Sequence, residues 1–377
     1  MTPPDDTSLP HQELRPPTGA SGRPRWWIYR GSGEPLHDTT LGELLPPPPP
    51  WRAFDGGPVV DPPPDDEEEN VRRLGGHQPA GYAPRAARTE ADLVNAALLL
   101  RRPLLVSGRP GTGKSSLAYR ISRELRLGRV LRWHITSRTT LQRGLYEYDA
   151  IGRIQDTAAL RAAAGEAPRG EEARTSPPDI GDYIQLGPLG TALLPHAEPR
   201  VLLIDELDKS DLDLANDLLS VFEDGTFTIP ELRRARRRNP VVRVQTDDPD
   251  GEADIVAGVV KCRAFPVVVM TSNSEREFPP AFLRRCLLLQ MPEPGDEDLA
   301  AMAAAHFGDG LAEERAGTLI ADFLRRSRER GGLSIDQLLN SFYLAASRPS
   351  GDDEGLLGLT EAIWHRLDGT APPVRPE

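Results

Sequence analysis

Lysine is nearly absent from this chain of 377 residues: only Lys114, Lys209 and Lys261 occur, against 42 arginines. Cysteine is also scarce, and Cys262 and Cys286 lack the spacing of a metal or redox motif. The seven histidines are scattered, so no zinc site is expected. No apolar run is long enough to span a membrane, and the N-terminus lacks a signal-peptide pattern. We therefore expect a soluble, cytoplasmic protein with reduced thiols.

The net charge of −12 excludes a global attraction to nucleic acid or anionic lipid. Proline is abundant but unevenly placed, because 17 of the 38 prolines lie in the first 80 residues. We predict that residues 1–83 form a mostly disordered arm, since such a segment buries too little apolar surface to offset its ordering entropy. An aromatic island at Trp26–Tyr29 predicts either a docking motif or a strand that pairs with the protein's own domain.

Beyond the arm, five short apolar runs alternate with helical or irregular segments, which is typical of a parallel sheet covered on both faces. The runs are 103–106, 130–135, 200–204, 266–270 and 286–290. The predicted fold class is α/β: a doubly wound, parallel five-stranded sheet with a small helical lid. The domains predicted are 1–83 (arm), 84–292 (α/β domain), 293–350 (helical lid) and 351–377 (tail with one short helix).

The first predicted strand is followed by a phosphate-binding loop with the pattern G-x-x-x-x-G-K-[ST], and a helical stretch follows the loop. Glycines allow the backbone N–H groups of such a loop to surround a phosphate at a helix N-terminus. Lys114 is expected to reach the β- and γ-phosphates and Ser115 to hold Mg²⁺. The predicted nucleotide-binding residues are Gly108, Arg109, Pro110, Gly111, Thr112, Gly113, Lys114, Ser115 and Ser116. This loop predicts that the sheet is of the P-loop NTPase type and that 84–292 is a nucleotide-binding domain.

Two further strands end in residues suited to hydrolysis. Asp205 and Glu206 follow the apolar run 201–204, and Asn273 ends the next buried run. The carboxyl ends of parallel strands meet at one crevice, so these side chains are expected beside the phosphates. We assign Asp205 to Mg²⁺, Glu206 to taking a proton from the attacking water, and Asn273 to orienting that water. The predicted activity is ATP hydrolysis to ADP and phosphate.

Together these segments resemble the AAA+ ATPases: Walker A at 108–115, Walker B at 203–209 and a sensor-like Thr-Ser-Asn at 271–273. Gly-Pro-Leu at 187–189, Pro280–Cys286 and the positions of two insertions, at 137–199 and 227–265, are similar to the MoxR-like branch. The resemblance covers about residues 84–348. It implies a ring homo-oligomer, normally a hexamer, that remodels a partner protein in a chaperone-like manner, often beside a von Willebrand A-domain protein.

The resemblance also implies an arginine that completes the active site of the neighbouring subunit. Arg285 matches that position best, with Arg284 as the substitute. One departure concerns the second sensor, which is normally an arginine at the start of a lid helix. Here the stretch 332–336 ends in Asp336, so the sensor is left unassigned, with Arg330 or another lid arginine as a replacement.

The sequence leaves two other functions open. A nucleotide-gated scaffold with little turnover is favoured by the missing sensor arginine. A nucleic-acid-directed motor is favoured by the basic run Arg233–Arg238 in the second insertion. No aromatic residue lies within that run to stack on bases, so we expect nucleic acid not to be a partner. An acidic partner segment, or the acidic stretch 61–69 of the arm, is an alternative ligand for these arginines.

Overall fold

The computed structural model of the protein describes residues 24, 26–61, 66–76, 88–166, 179–307, 313–330, 334–347 and 364. The strands in these ranges are Leu104–Ser107 (β1), Leu131–His134 (β2), Tyr146–Tyr148 (β3), Ile184–Leu186 (β4), Val201–Asp205 (β5), Thr226–Thr228 (β6), Val241–Gln245 (β7), Glu252–Val256 (β8), Val259–Lys261 (β9), Val267–Ser272 (β10) and Leu287–Gln290 (β11). The α-helices are Leu41–Leu44 (α1), Glu67–Leu74 (α2), Arg88–Leu100 (α3), Ser116–Leu125 (α4), Leu141–Leu145 (α5), Ala150–Glu166 (α6), Pro188–Ala192 (α7), Leu212–Asp224 (α8), Pro230–Ala235 (α9), Pro280–Leu283 (α10), Asp296–Phe307 (α11), Glu313–Arg330 (α12) and Ile335–Ala346 (α13).

The predicted five-stranded parallel sheet is confirmed, with the strand order β11-β1-β10-β5-β2. Its central strand residues are buried on both faces. Leu202 and Ile204 of β5 belong to a core shared with α7 and α8. Leu203 and Val201 belong to a second core on the opposite face, with α3 and α4. This two-sided burial is why the strands read as uninterrupted apolar runs.

The two insertions form one additional sheet, which we call the insertion sheet, of order β3-β4-β7-β8-β9-β6. The sequence predicts a hairpin-like excursion for the second insertion, and β7 and β8 pair as an antiparallel hairpin. Within the sheet, the strands of the two insertions are joined by a parallel pairing of Gln185 with Gln245. Alternating residues of β7 and β8 are buried. The buried face of the insertion sheet belongs to the same hydrophobic core as Leu202 and Ile204 of β5.

Three helices, α11, α12 and α13, form the lid around their own small core. Trp364 from the C-terminal tail is buried in that core, and its indole N–H donates to Ser341 Oγ at 2.8 Å. The remainder of the tail, including the helix predicted there, lies outside the described residues. Within the described ranges, no helix has the length and apolar character needed to cross a membrane.

The part of the N-terminal arm between residues 26 and 61 packs against the α/β domain, which differs from the disorder predicted for most of the arm. Tyr29 and Leu41 are fully buried in the core on the α3 and α4 face. Farther along, Phe54 stacks on Phe265, and the ring centroids are 5.9 Å apart. The aromatic island therefore packs on its own domain, although without forming a strand. Trp51, by contrast, is 76% exposed.

Two buried polar side chains hold the arm by its backbone. Asn95 Oδ1 accepts the N–H groups of Ile28 and Tyr29 at 2.7 and 3.0 Å, and Asn95 Nδ2 donates to Tyr29 O. The carboxylate of Glu124 accepts the N–H groups of three arm residues, Arg30, Ser32 and Gly33. These hydrogen bonds cannot be predicted from the composition of the arm, because they join residues more than 60 positions apart.

We predict that Asn95→Ala detaches the aromatic island. The change leaves three backbone groups without partners, and the two of Tyr29 are buried. A buried group without a partner costs about 1–3 kcal/mol. Amide hydrogen exchange of residues 26–36 should accelerate, while exchange in β5 stays slow. Asp92→Ala is the matched control, because it removes only the hydrogen bond to the half-buried Trp27 indole. Unchanged exchange in residues 26–36 would show that Asn95 does not anchor the arm.

Candidate functional site

A cavity of about 630 Å³ lies between the carboxyl edge of the main sheet and the lid. The loop 110–116, Asp205, Glu206 and Asn273 line it from the α/β domain, and α11 and α13 line it from the lid. The arm also contributes, since Tyr29, Gly31, Gly33 and the end of α2 form part of its wall. The sequence does not predict this third wall.

The loop after β1 has the backbone shape that a phosphate cradle needs. Gly111 and Gly113 have φ values of 76° and 81°, in the left-handed region that favours glycine. A Cβ on Gly111 would lie 2.6 Å from Ser334 Cα, so the lid reaches the loop directly. Lys114 Nζ donates to the carbonyls of Gly108 and Arg109, at 2.8 and 2.7 Å. Burial lowers the pKa of Lys114, although three nearby carboxylates oppose the shift.

Two of the predicted loop residues lie apart from the cavity wall. The side chain of Arg109 is exposed and pairs with Glu293, with 2.8 Å between Nη1 and Oε1. The Gly108 carbonyl accepts a hydrogen bond from Lys114, and a Cβ at this position would lie 3.0 Å from Met291 O. Pro110, Thr112, Ser115 and Ser116 line the cavity together with the two glycines and Lys114.

The oxygen atoms predicted to hold Mg²⁺ lie together at the end of β5. Ser115 Oγ donates to Asp205 Oδ1 at 2.6 Å, and Thr271 Oγ1 donates to the same oxygen at 2.8 Å. The other carboxylate oxygen accepts from Arg132 Nη2 on the neighbouring strand β2, at 2.9 Å. Burial raises the pKa of Asp205, but these three donors outweigh it and the net shift is downward. A hydroxyl and an ionised carboxylate are the ligands that a hard divalent cation prefers, so the residues fit this role.

A group of three or more His, Cys, Asp or Glu side chains able to hold a metal is not found in the described part of the chain. A cation at Asp205 therefore depends on oxygens of a bound phosphate to complete its coordination. This arrangement is ordinary for Mg²⁺, which is usually held by one or two protein ligands plus substrate phosphates.

Arg132 competes with a cation for Asp205, because its guanidinium already neutralises one carboxylate oxygen. We predict that Arg132→Gln lowers the Mg²⁺ concentration needed for half-maximal nucleotide binding about two- to fivefold, as expected for loss of one partly exposed charge contact. A titration of nucleotide binding with Mg²⁺ measures this shift. Arg143→Gln, which loses only an exposed pair with Glu147, is the control. A higher Mg²⁺ requirement in Arg132→Gln would mean that Arg132 organises Asp205 instead of competing for it.

Glu206 lies next to Asp205 in a strained backbone conformation. Its φ of 64° and ψ of 46° place a non-glycine residue in the left-handed region, and its N–H donates to Thr271 Oγ1 at 2.8 Å. Oε2 pairs with Lys209 Nζ at 2.8 Å and lies 3.9 Å from His134 Nε2. Lys209 was not predicted as a site residue, although it is one of only three lysines and stands three positions after Glu206.

Asn273 is held at the cavity wall through its backbone. Its N–H donates to Asp208 Oδ2 at 2.8 Å, and Glu275 N–H donates to the same oxygen. Asp208 is buried, and its Oδ1 has no hydrogen-bond partner among the described residues. Sequence reasoning missed Asp208, which follows Asp205 by three positions in the same acidic segment.

Arg284 and Arg285 are not brought to the cavity of their own chain. They follow α10, where Arg285 is 40% exposed and pairs with Glu223 of α8. Arg284 is exposed, and its Nε donates to Pro280 O. Neither side chain therefore lines the cavity of its own chain.

At the unassigned sensor position, an acidic residue lines the cavity. Asp336 lies in the first turn of α13, and Ser334 caps that helix through a hydrogen bond from Gln337 N–H. The side chain of the proposed substitute, Arg330, lies outside the described part of the chain. Instead, Arg72 and Arg73 of α2 line the cavity from the arm, and both pair with Glu69. Glu69, in the acidic stretch 61–69 of the arm, thus pairs with two arm arginines. Pairing of that stretch with Arg233–Arg238 stays a prediction, because residues 62–65 lie outside the described residues.

Both cysteines lie away from this cavity. Cys262 and Cys286 are buried and form no disulfide, and burial raises the pKa of each thiol to about 12. A thiol in that state is not ionised at neutral pH and is a weak nucleophile.

Residues 103–286 match the family model of the AAA domain, dynein-related subfamily. The match begins just before β1 and ends just after Arg285, so it contains the phosphate-binding loop and the acidic end of β5 but neither the arm nor the lid. No curated protein matches the chain. The family match supports an ATPase of the AAA+ class and, with it, nucleotide binding.

Proposed function

We propose that the protein is a ring-forming ATPase, similar to the MoxR-like branch of the AAA+ class, that binds and hydrolyses Mg-ATP and remodels a partner protein in a chaperone-like manner. The observation that carries this proposal is the convergence of Lys114, Ser115, Asp205 and Glu206, from separate segments, on one cavity between the sheet and the lid. A client or a von Willebrand A-domain protein is the proposed partner, and the cytoplasm is the proposed location.

Different residues of the cavity bind different parts of Mg-ATP. The backbone N–H groups of the loop 110–116 surround the phosphates, and Lys114 adds a positive charge. When bound, Mg²⁺ neutralises charge that develops on the phosphates, and Ser115 and Asp205 hold it. The base of the nucleotide contacts the apolar part of the wall, to which Leu74 of the arm and Met302 and Leu339 of the lid contribute.

The residues at the strand ends then serve hydrolysis. Glu206 accepts the proton of the attacking water through Oε1, which has no hydrogen-bond partner among the described residues, while Lys209 holds Oε2. Asn273 orients the water, and its backbone is fixed by Asp208. The lid packs against the phosphate-binding loop and forms part of the cavity wall. Hydrolysis of the bound nucleotide therefore moves the lid against the sheet.

Ring assembly is proposed because Arg285 is partly exposed and does not line the cavity of its own chain. In the proposed ring, normally a hexamer, this side chain completes the site of the next subunit, with Arg284 as the substitute. Turnover per subunit should therefore rise with protein concentration as rings form. Measuring ATP turnover across a dilution series tests this prediction. Turnover that is independent of concentration would contradict a shared site.

A nucleotide-gated scaffold is the second candidate, and two observations favour it. Asp336 occupies the place of the sensor arginine, and Glu206 is already paired with Lys209. A scaffold binds ATP tightly but shows no turnover at any protein concentration, with or without a client. The dilution series therefore separates the two functions.

A further inference from the structure

A strongly basic surface lies on α9 and the turn that follows it, beside the insertion sheet, and it does not line the nucleotide cavity. It consists of Arg233, Arg234, Arg236, Arg237 and Arg238, and we call it the arginine surface. All five side chains are exposed, and within the described residues none of them forms an ion pair. Arg243 of the same sheet differs, because it pairs with Asp254 and Glu252. Five unneutralised cations in six positions are unusual in a chain with a net charge of −12.

The backbone below the arginine surface is firmly held. Ile229 and Leu232 are buried in the main core, and Arg233 N–H donates to Ile229 O at 3.0 Å. Gly258, at the turn between β8 and β9, packs so closely that a Cβ there would lie 2.5 Å from Arg233 N. A ligand therefore meets a pre-positioned surface and loses little binding free energy to ordering the backbone.

An apolar pair lies at the edge of the arginine surface. Val241 and Val256 are opposite each other in the β7–β8 hairpin, and they are 51% and 42% exposed. They adjoin the arginines because Ala257 N–H donates to Pro240 O, two residues after Arg238. The surface thus combines several guanidinium groups with a small exposed apolar patch.

This combination fits an acidic polypeptide better than a nucleic acid. Carboxylates form charge-assisted, bidentate hydrogen bonds with guanidinium groups, and an apolar side chain between them would cover the valine pair. Phosphates would use the arginines alone, and no aromatic residue between positions 229 and 241 offers a base-stacking platform. We propose that the arginine surface binds an acidic, apolar-containing segment of the partner polypeptide. This inference rests on the proposed function only in identifying that polypeptide as the client.

Fluorescence anisotropy with the full chain tests the proposal. The probes are a labelled peptide of repeating Glu-Glu-Val, the same peptide with glycine in place of valine, and labelled oligo(dT). The variant is the triple change Arg236→Gln, Arg237→Gln, Arg238→Gln. The matched control changes three exposed arginines elsewhere to glutamine: Arg138, Arg143 and Arg243.

The Glu-Glu-Val peptide should bind the wild type, and the triple variant should bind it about tenfold more weakly, as three exposed charge contacts predict. The control should stay within about twofold of the wild type, and added salt should weaken binding. The glycine peptide should bind more weakly than the valine peptide. Equal peptide binding by wild type and triple variant would overturn the proposal. Arginine-dependent binding of oligo(dT) without peptide binding would replace it with a nucleic-acid surface.

The ATPase assay, run in parallel, separates this inference from the proposed function. The triple variant should keep the unstimulated ATP turnover of the wild type, because the arginine surface does not line the cavity. Arginine-dependent peptide binding by a wild type without turnover would support the surface and contradict the ATPase. Turnover without arginine-dependent peptide binding would support the ATPase and overturn the surface.

Discussion

Replacing Glu206 with glutamine should lower ATP turnover by about 10²–10⁴-fold, the usual contribution of a general base, and leave ATP affinity nearly unchanged. Glutamine has the shape of glutamate and can still accept the hydrogen bond from Lys209, but it cannot take a proton from water. The backbone at this position should persist, since Glu206 N–H is held by Thr271 Oγ1. Turnover assays and equilibrium binding of a fluorescent ATP analogue measure the two quantities.

Glu275→Gln is the matched control for this change. Glu275 is an exposed carboxylate near Lys209, and its N–H shares the Asp208 carboxylate with Asn273. The control therefore removes one negative charge from the same neighbourhood without touching the proposed base. Turnover that survives in Glu206→Gln would assign the base to another residue. An equal loss in both variants would indicate an electrostatic effect, not proton transfer.

The main sheet could be predicted from the sequence because its strands are buried on both faces. Each strand therefore reads as an apolar run, and its carboxyl end carries the functional residues at a fixed place in the fold. The positions of Lys114, Ser115 and Asp205 relative to one another follow from this rule. The family match covers the same segment.

The arm could not be predicted, because its stability depends on residues far away in the chain. Composition makes residues 1–83 look disordered, yet Asn95 and Glu124 satisfy the backbone of residues 28–33. Neither side chain is recognisable as a receptor for another segment, since a polar residue within a helix usually faces solvent. For the same reason, the sequence did not predict Arg72 and Arg73 as cavity residues. They reach the cavity because α2 packs on α4.

The insertion sheet was missed for a related reason. Its two halves are joined in the sheet through the pairing of Gln185 with Gln245, and such a short pairing leaves no pattern in either segment. The contacts of Asp205 and Glu206 with Arg132 and Lys209 were also beyond the sequence. A motif gives the position of an acidic residue, whereas its partners depend on neighbouring strands and side-chain conformations.

Arg285→Ala should lower turnover about 10³-fold if this arginine acts on the phosphates of a neighbouring subunit, at the lower end of the range for arginine fingers. Within its own chain the side chain pairs with Glu223 and donates to Ala281 O, so its removal leaves the cavity intact. Arg284→Ala is the matched control, because that neighbouring side chain is exposed and makes one hydrogen bond to Pro280 O. Loss of turnover in Arg284→Ala alone would transfer the role to Arg284.

Mixing two inactive variants gives the sharpest form of this test. A subunit with Arg285→Ala keeps Glu206, and a subunit with Glu206→Gln keeps Arg285, so one of the mixed interfaces contains both intact groups. With random assembly of equal amounts in a ring, about a quarter of the interfaces are complete. Turnover should therefore recover on mixing to a substantial fraction of the wild-type value. Without recovery, each site would have to be complete within one chain, and the exposed position of Arg285 would have another explanation.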